Sequence, residues 1–198
     1  MNLLKKLNRG AILMTGVIIA VIIYLIIHAA VNLAQTEQVK AVCAEYVAAE
    51  VRYSVLPAAY RSDTQSMPAS EQDNYIQEMI DHIRPLLTDD SFASGLTLER
   101  LEKSLRSQMT GLNVIYEYDK SNFRYQSVSF KQDIATVVVI TQTVFDGPAG
   151  YFADGVPVTR QRQVVNATDT IVLQKIDGVW KIFYASLSNP AADSRDYY

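Results

Sequence analysis

Three patterns of apolar and polar positions follow one another along this chain. Ala11 to Ala34 holds no charged residue, and its centre, Val17 to Ile27, is apolar except for Tyr24. From Val39 the apolar positions recur at helical spacing: Val39, Val42, Cys43, Tyr46, Ala49, Tyr53 and Leu56 share one face. After Asn113 the period becomes two, the signature of strands.

The first pattern predicts a membrane-spanning helix over 11–34. At 1.5 Å per residue its 24 residues give about 36 Å, enough to cross a hydrocarbon core of ~30 Å. Lys5, Lys6 and Arg9 precede it and no comparable cluster follows, so residues 1–10 are expected to stay in the cytoplasm. The run is longer than a signal-peptide core, and Asn32-Leu33-Ala34 is a poor cleavage site, so an uncleaved signal-anchor is expected. Cys43 lies too far beyond the run for a lipoprotein. Arg9-Gly10 is pilin-like, but Thr15 stands where those proteins usually carry Glu. Tyr24, His28 and Asn32 fall on one helical stripe. That stripe suits either a helix–helix contact in the bilayer or the watered outer interface.

No Gly or Pro interrupts Val17 to Leu56, so the helix is expected to continue past the membrane until Pro57. A second helix is expected from Ser70, capped by its hydroxyl with Asp73 favouring the positive end, and ended or kinked at Pro85. Ile76, Met79, Ile80, Ile83 and Leu87 form its buried stripe. A third runs from Thr97 to Gly111, with Leu98, Leu101, Leu105 and Met109 inward. Glu99–Lys103 and Glu102–Arg106 are surface pairs one turn apart.

Val114, Tyr116 and Tyr118 predict a first strand. Phe123 to Lys131 is a second, with a bulge near Ser127-Val128. Ile134 to Phe145 is apolar and β-branched almost throughout, the mark of a central strand covered on both faces. Val164 to Ile176 follows. Asp177-Gly178 is a two-residue hairpin turn leading to Val179–Leu187. The expected class is α+β: one N-terminal transmembrane helix, then three helices packed on a curved antiparallel sheet of four to five strands. Residues 35–188 form the domain, and 189–198 read as a polar tail.

Charge narrows the function. The whole chain has 18 Lys+Arg and 21 Asp+Glu. Setting aside Lys5, Lys6 and Arg9 leaves 15 cations against 21 anions, a net charge of −6 with no basic run. A nucleic-acid surface is not expected. Cys43 is the only cysteine, so an intrachain disulfide and a cysteine-rich metal site are excluded. Its place on the apolar face reads as a small buried hydrophobe, with an intermolecular disulfide as the sharper alternative.

The order of elements and the closing hairpin, Leu173-Gln174-Lys175-Ile176-Asp177-Gly178-Val179-Trp180-Lys181-Ile182, resemble the nuclear transport factor two-like superfamily, the cystatin-like α+β cone, in a membrane-anchored bacterial form. The resemblance covers about residues 37–188. It implies a bent sheet wrapped around helices and a cone-shaped pocket, but no single activity. Enzymes of the superfamily often place a Tyr or His and an Asp inside the cone. The candidates here are Tyr116, Tyr118, Tyr125, Asp133 and Asp169. They show no catalytic spacing, and strand tyrosines usually pack across strands. Asp133 falls where a turn is expected. His82 follows Asp81, but sequence neighbours do not face each other on a helix, and no second His accompanies it in the soluble part. No catalytic residue, cofactor site or metal site is assigned, and no phosphate loop, dinucleotide fingerprint or Gly-x-Ser-x-Gly is present.

Asp146 to Pro157 is the most distinctive stretch, joining the two longest strands. Tyr151 and Phe152, set among glycines and prolines, are the candidate partner-binding residues; folding back over the cone is the other reading. Asn166-Ala167-Thr168 fits a glycosylation acceptor but lies mid-strand. The expected function is non-enzymatic: an extracytoplasmic domain held in the cell membrane that binds another envelope protein or itself. A module for a small apolar or lipid-like ligand is the alternative, ahead of an isomerase- or hydrolase-type enzyme. A buried carboxylate in an apolar pocket would favour an enzyme; a cone plugged by Tyr and Phe would favour a scaffold.

Overall fold

A computed structural model of the chain describes residues 9–62, 66–89, 91–111, 113–149 and 159–187. Two compact units result, one ending at Gln38 and the other beginning at Val39. Helix α1, Arg9–Tyr53, is continuous over 45 residues, as the lack of Gly and Pro between Val17 and Leu56 requires.

In the first unit every residue from Leu13 to Ala34 is exposed. The helix is long and apolar enough to cross a membrane. Its polar stripe closes on itself. Asn32 and His28 are hydrogen-bonded side chain to side chain at 3.1 Å, and the His28 ring lies 5.9 Å from Tyr24.

The second unit is α+β. Helix α2 spans Ala69–Ile83 and helix α3 Ser91–Met109. The strands are β1 (Glu117–Lys131), β2 (Ile134–Ala149), β3 (Thr159–Ile176) and β4 (Val179–Ser186). They form one curled antiparallel sheet in the order β1-β2-β3-β4. The apolar stripe of α1, Ile76, Met79 and Ile83 of α2, and Leu101, Leu105 and Met109 of α3 bury against one face of it. Pro85 ends α2, and Arg84–Leu86 tightens to a 3-10 turn. Gly111, at φ 76°, closes α3. Leu87 then bridges Ile182, and the Thr88 amide donates to the Ile182 carbonyl at 2.9 Å.

Several expectations change. Ser70 is not the cap of α2. Pro68 holds that position without a side-chain bond, and the Glu71 amide donates to its carbonyl at 2.9 Å. Helix α3 begins six residues before Thr97. The strand expected at 123–131 extends back to Glu117 and takes in only the end of the one expected at 114–118, so one strand stands where two were expected and residues 114–116 lie outside it. The alternation looked broken because β1 carries two irregularities, between Asp119 and Asn122 and between Tyr125 and Ser127. The second is the bulge read at Ser127-Val128. The sheet therefore has four strands. Strand β2 is central, but from Ala135 to Phe145 only its odd positions are buried; Ile140 is 39% exposed. Its continuous apolar run thus reflects β-branched preference within a pleated sheet, not cover on both faces. The β2–β3 ladder also continues past Asp146 to Ala149–Thr159, so the connection is shorter than read. Gly147 explains part of this. A Cβ there would lie 2.6 Å from the Phe145 ring, so Gly lets that ring fold back along its own strand. Gly147→Ala is expected to lower stability by about 1–3 kcal/mol, measured by denaturant unfolding, because Phe145 is fully buried and must shift.

Candidate functional site

The chemically richest part of the domain is its interior. Glu50 lies on α1 four residues after Tyr46 and three before Tyr53, so the helix turns it onto the apolar stripe. Lys120 shares the inward face of β1 with Tyr118. The two side chains are completely buried, and the Lys120 ammonium donates to Glu50 Oε2 at 3.0 Å. Arg100, on α3 and 37% exposed, donates to Glu50 Oε1 at 3.3 Å. One carboxylate thus holds two cations from two other elements.

Neutral polar groups surround the trio. The Ser54 hydroxyl donates to the Glu50 carbonyl at 2.7 Å, and Gln108 Nε2 donates to the Ser54 carbonyl at 2.9 Å. The Tyr118 ring lies 5.5 Å from the Lys120 ammonium. Burial first, and the Glu50 charge second, push the Tyr118 phenol well above its ordinary value. Ser54 is close enough to influence that phenol, but its own proton goes to the Glu50 carbonyl. The Tyr118 hydroxyl closes no hydrogen bond of good geometry, nor do Arg100 Nε and Thr143 Oγ1. Asp169, inward on β3, accepts a 2.6 Å bond from Thr141 and adds its charge to the surroundings of Tyr118.

Two of the five aromatic and acidic candidates, Tyr118 and Asp169, are therefore brought to one region. The others are not. Tyr125 donates to the Lys40 carbonyl at 2.6 Å and packs edge-on against Phe123. Asp133 sits in the β1–β2 turn, where its carbonyl accepts from the Lys175 amide at 2.7 Å. Tyr116 lies under the Arg160 guanidinium, 3.9 Å from ring centroid to carbon. That arginine makes a two-pronged bond to Asp146, at 2.7 and 2.5 Å, which holds the Asp146 carboxyl below its usual range. Arg162 grips Glu117 in the same way. These clamps lie at the end of the β2–β3 ladder nearest Ala149 and Thr159. Tyr151 and Phe152 lie outside the described residues.

His82 belongs to a surface cleft of about 540 Å³ between α1 and α2, lined also by Arg52, Tyr53, Glu78 and Asp81. The Tyr53 hydroxyl donates to Glu78 Oε1 at 3.3 Å and lies 3.3 Å from His82 Nδ1. Arg52 pairs with the same Glu78. Burial first, and the Glu78 charge second, push the Tyr53 phenol above its ordinary value. Among the described residues no three His, Cys, Asp or Glu are placed to hold a metal ion.

Cys43 is buried, which pushes its thiol up to about 12. The folded domain offers it to no second chain, so the disulfide alternative does not suit this structure. A maleimide at neutral pH is expected to leave Cys43 unlabelled in the folded protein and to label it fully after denaturation, counted by mass spectrometry. Asn166 is exposed, and its Oδ1 accepts from Gln142 at 3.1 Å.

The sequence reading passed over Glu50, Lys120 and Arg100. A signal for the first two was present. Glu50 sits on an apolar helical stripe and Lys120 at the inward parity of its strand, and a charge in such a place needs an opposite partner.

No protein-family model matches this sequence, and comparison with curated proteins gives no match. Several solved structures are similar to it, three of them as follows. The intermembrane-space region of the chloroplast protein ARC6 is 15% identical, with a TM-score of 0.36 over 62% of this chain and 97% of that one. A SEC-C motif-containing protein from Rhodopseudomonas palustris is 13% identical, with a TM-score of 0.31 over 61% and 74%. An NTF2-like protein involved in plasmid conjugation is 10% identical, with a TM-score of 0.34 over 66% of this chain and 46% of that one. Scores this low carry neither a fold nor an activity across. The coordinates themselves define an α+β domain behind one apolar helix of membrane-spanning length.

Proposed function

We propose that this chain is a single-pass membrane protein with its N-terminus in the cytoplasm, whose outer domain is a non-enzymatic module for binding other proteins in the cell envelope. One observation carries the reading. Glu50 is neutralised by Lys120 and Arg100 among fully buried Tyr46, Tyr53 and Phe145, while the other inward carboxylate, Asp169, accepts a hydrogen bond from Thr141. A carboxylate so paired is committed to structure, and a core filled by aromatic rings suits a scaffold better than a reaction chamber. The anchor supports the topology, because three cations precede it and Lys40 alone follows it closely.

Two measurements test this. Protease added outside cells whose wall has been opened is expected to digest the chain beyond Gln35; full protection of the domain would reverse the orientation. In the same membranes, replacing both Tyr151 and Phe152 by Ser is expected to abolish co-purification of a partner while leaving the thermal midpoint unchanged. If the pair instead covers the domain's own apolar surface, the change will lower stability by about 2 kcal/mol or more.

A further inference from the structure

The face of the sheet turned away from the helices carries an open groove of about 360 Å³, lined chiefly by Asn122, Arg124, Ile140, Gln142 and Asn166. Sites for small molecules run from roughly 300 to 1,000 Å³, so this one suits a ring or two rather than a folded partner. Strand pairing sets its plan. Asn122, Gln142 and Asn166 make one row across β1, β2 and β3, and Arg124, Ile140 and Thr168 make the next. These side chains point outward, since the alternate residues Thr141 and Asp169 are buried while Ile140 is 39% exposed. With strands ~4.8 Å apart and residues ~3.3 Å along them, the two rows cover about 10 Å by 7 Å.

The amide row is fixed by its own bonds. Asn122 Nδ2 donates to Gln142 Oε1 at 2.5 Å, and Gln142 Nε2 donates to Asn166 Oδ1 at 3.1 Å. Each of those bonds uses one N–H of an NH₂ group. Asn122 Oδ1, the second N–H of Asn122 and of Gln142, and the Asn166 NH₂ are left for a ligand. Donors and an acceptor thus stand side by side. A run of sugar hydroxyls matches that mixture, because each hydroxyl donates and accepts at once. Ile140, beside the row, gives an apolar floor for the C–H face of a pyranose ring.

Arg124 adds a charge. Arg52, Arg100, Arg106, Arg160 and Arg162 each pair with a carboxylate. Among the described residues Arg124 pairs with none. Asp119, the outward carboxylate of the same strand, faces Val144, whereas Arg124 faces Ile140. That offset along β2 is about 13 Å, which exceeds the ~8 Å Debye length at physiological salt. The guanidinium is therefore an open fork, and a carboxylate is the group that fits it.

We infer that this groove binds a sugar acid, a pyranose bearing one carboxylate. Arg124 takes the carboxylate, the amide row takes ring hydroxyls, and Ile140 meets the C–H face. The site is separate from Tyr151 and Phe152 and goes beyond the partner-binding role proposed for them.

The test follows side-chain N–H signals of the isotope-labelled whole chain in detergent by NMR. The probes are D-glucuronate, D-galacturonate, a galacturonate tetramer, galactose, propionate and a glutamate tetrapeptide. The signals of Asn122, Gln142, Asn166 and Arg124 are expected to shift and saturate with at least one of the sugar acids, and not with the last three probes at equal concentration. Arg124→Gln is expected to weaken that binding about tenfold or more, the loss of one charge-assisted bond. Gln142→Ala, which breaks the amide row, is expected to weaken it as well. Trp180 emission verifies that each variant is folded. Tighter binding of the tetramer per sugar supports a glycan as the source, and equal binding supports a free sugar acid. No shift with either sugar acid or the tetramer overturns the inference. Equal binding of galactose removes the carboxylate from it, and equal binding of propionate or the peptide removes the sugar; either overturns it. So does binding that Arg124→Gln leaves unchanged.

Discussion

Glu50→Ala is expected to destabilise the domain by about 3–5 kcal/mol, the cost of stranding Lys120 in the core without its counter-charge. The Lys120 side chain is fully buried, and Glu50 is its ion-pair partner at 3.0 Å. Arg100 is different. It is 37% exposed and loses one bond that water can replace, so Arg100→Ala is expected to cost about 1 kcal/mol or less. Double replacement by apolar side chains of similar size, Glu50→Leu with Lys120→Met, should recover most of the single-variant loss. Denaturant unfolding of the whole chain in detergent, followed by Trp180 emission, measures all three variants. If Glu50→Ala costs less than about 1 kcal/mol, Lys120 must reach water by another route, and the interior is open. That outcome would revive the ligand-binding reading.

Trp180→Ala is expected to cost about 3–5 kcal/mol, the usual range for truncating a buried large aromatic. Trp180 is 4% exposed, lies 5.8 Å from the Phe130 ring and pairs in register with Lys175. Its Nε1 has no partner. Trp180→Phe removes volume and that unpaired donor together. The two effects oppose, so the net change should stay within about 1.5 kcal/mol. Circular dichroism through a thermal or urea transition follows these variants, since Trp180 is the only tryptophan. A loss under about 0.5 kcal/mol for Trp180→Ala would mean that the β3–β4 hairpin lies outside the cooperative core.

Elements with a strong local cause were legible in the sequence. Asp177 and Gly178 have φ 51° and 84°, as the hairpin signal requires. Pro85 and Gly111 end their helices, and Glu102 accepts from Arg106 at 2.8 Å one turn on. Trp180 is in the core. Features set by distant residues were harder to read. That one strand, β1, stands where two were expected is decided by pairing with β2, which tolerates two irregularities that break local alternation. The apolar run of β2 looks the same whether one face is covered or two. The interior ion cluster joins residues 50 and 70 positions apart, and no local spacing signals such a pair. The misfits of Glu50 with its helical stripe and of Lys120 with the inward parity of its strand betray it.

That separation has a consequence during synthesis. Glu50 leaves the ribosome 70 residues before Lys120. At about 5–20 residues per second, the interval is roughly 4–14 s. Throughout it the apolar stripe of α1, from Val39 to Leu56, lacks the sheet that covers it and Lys120, the buried partner of its one carboxylate. A nascent chain halted within that interval should therefore be the form most prone to aggregate and most dependent on a chaperone.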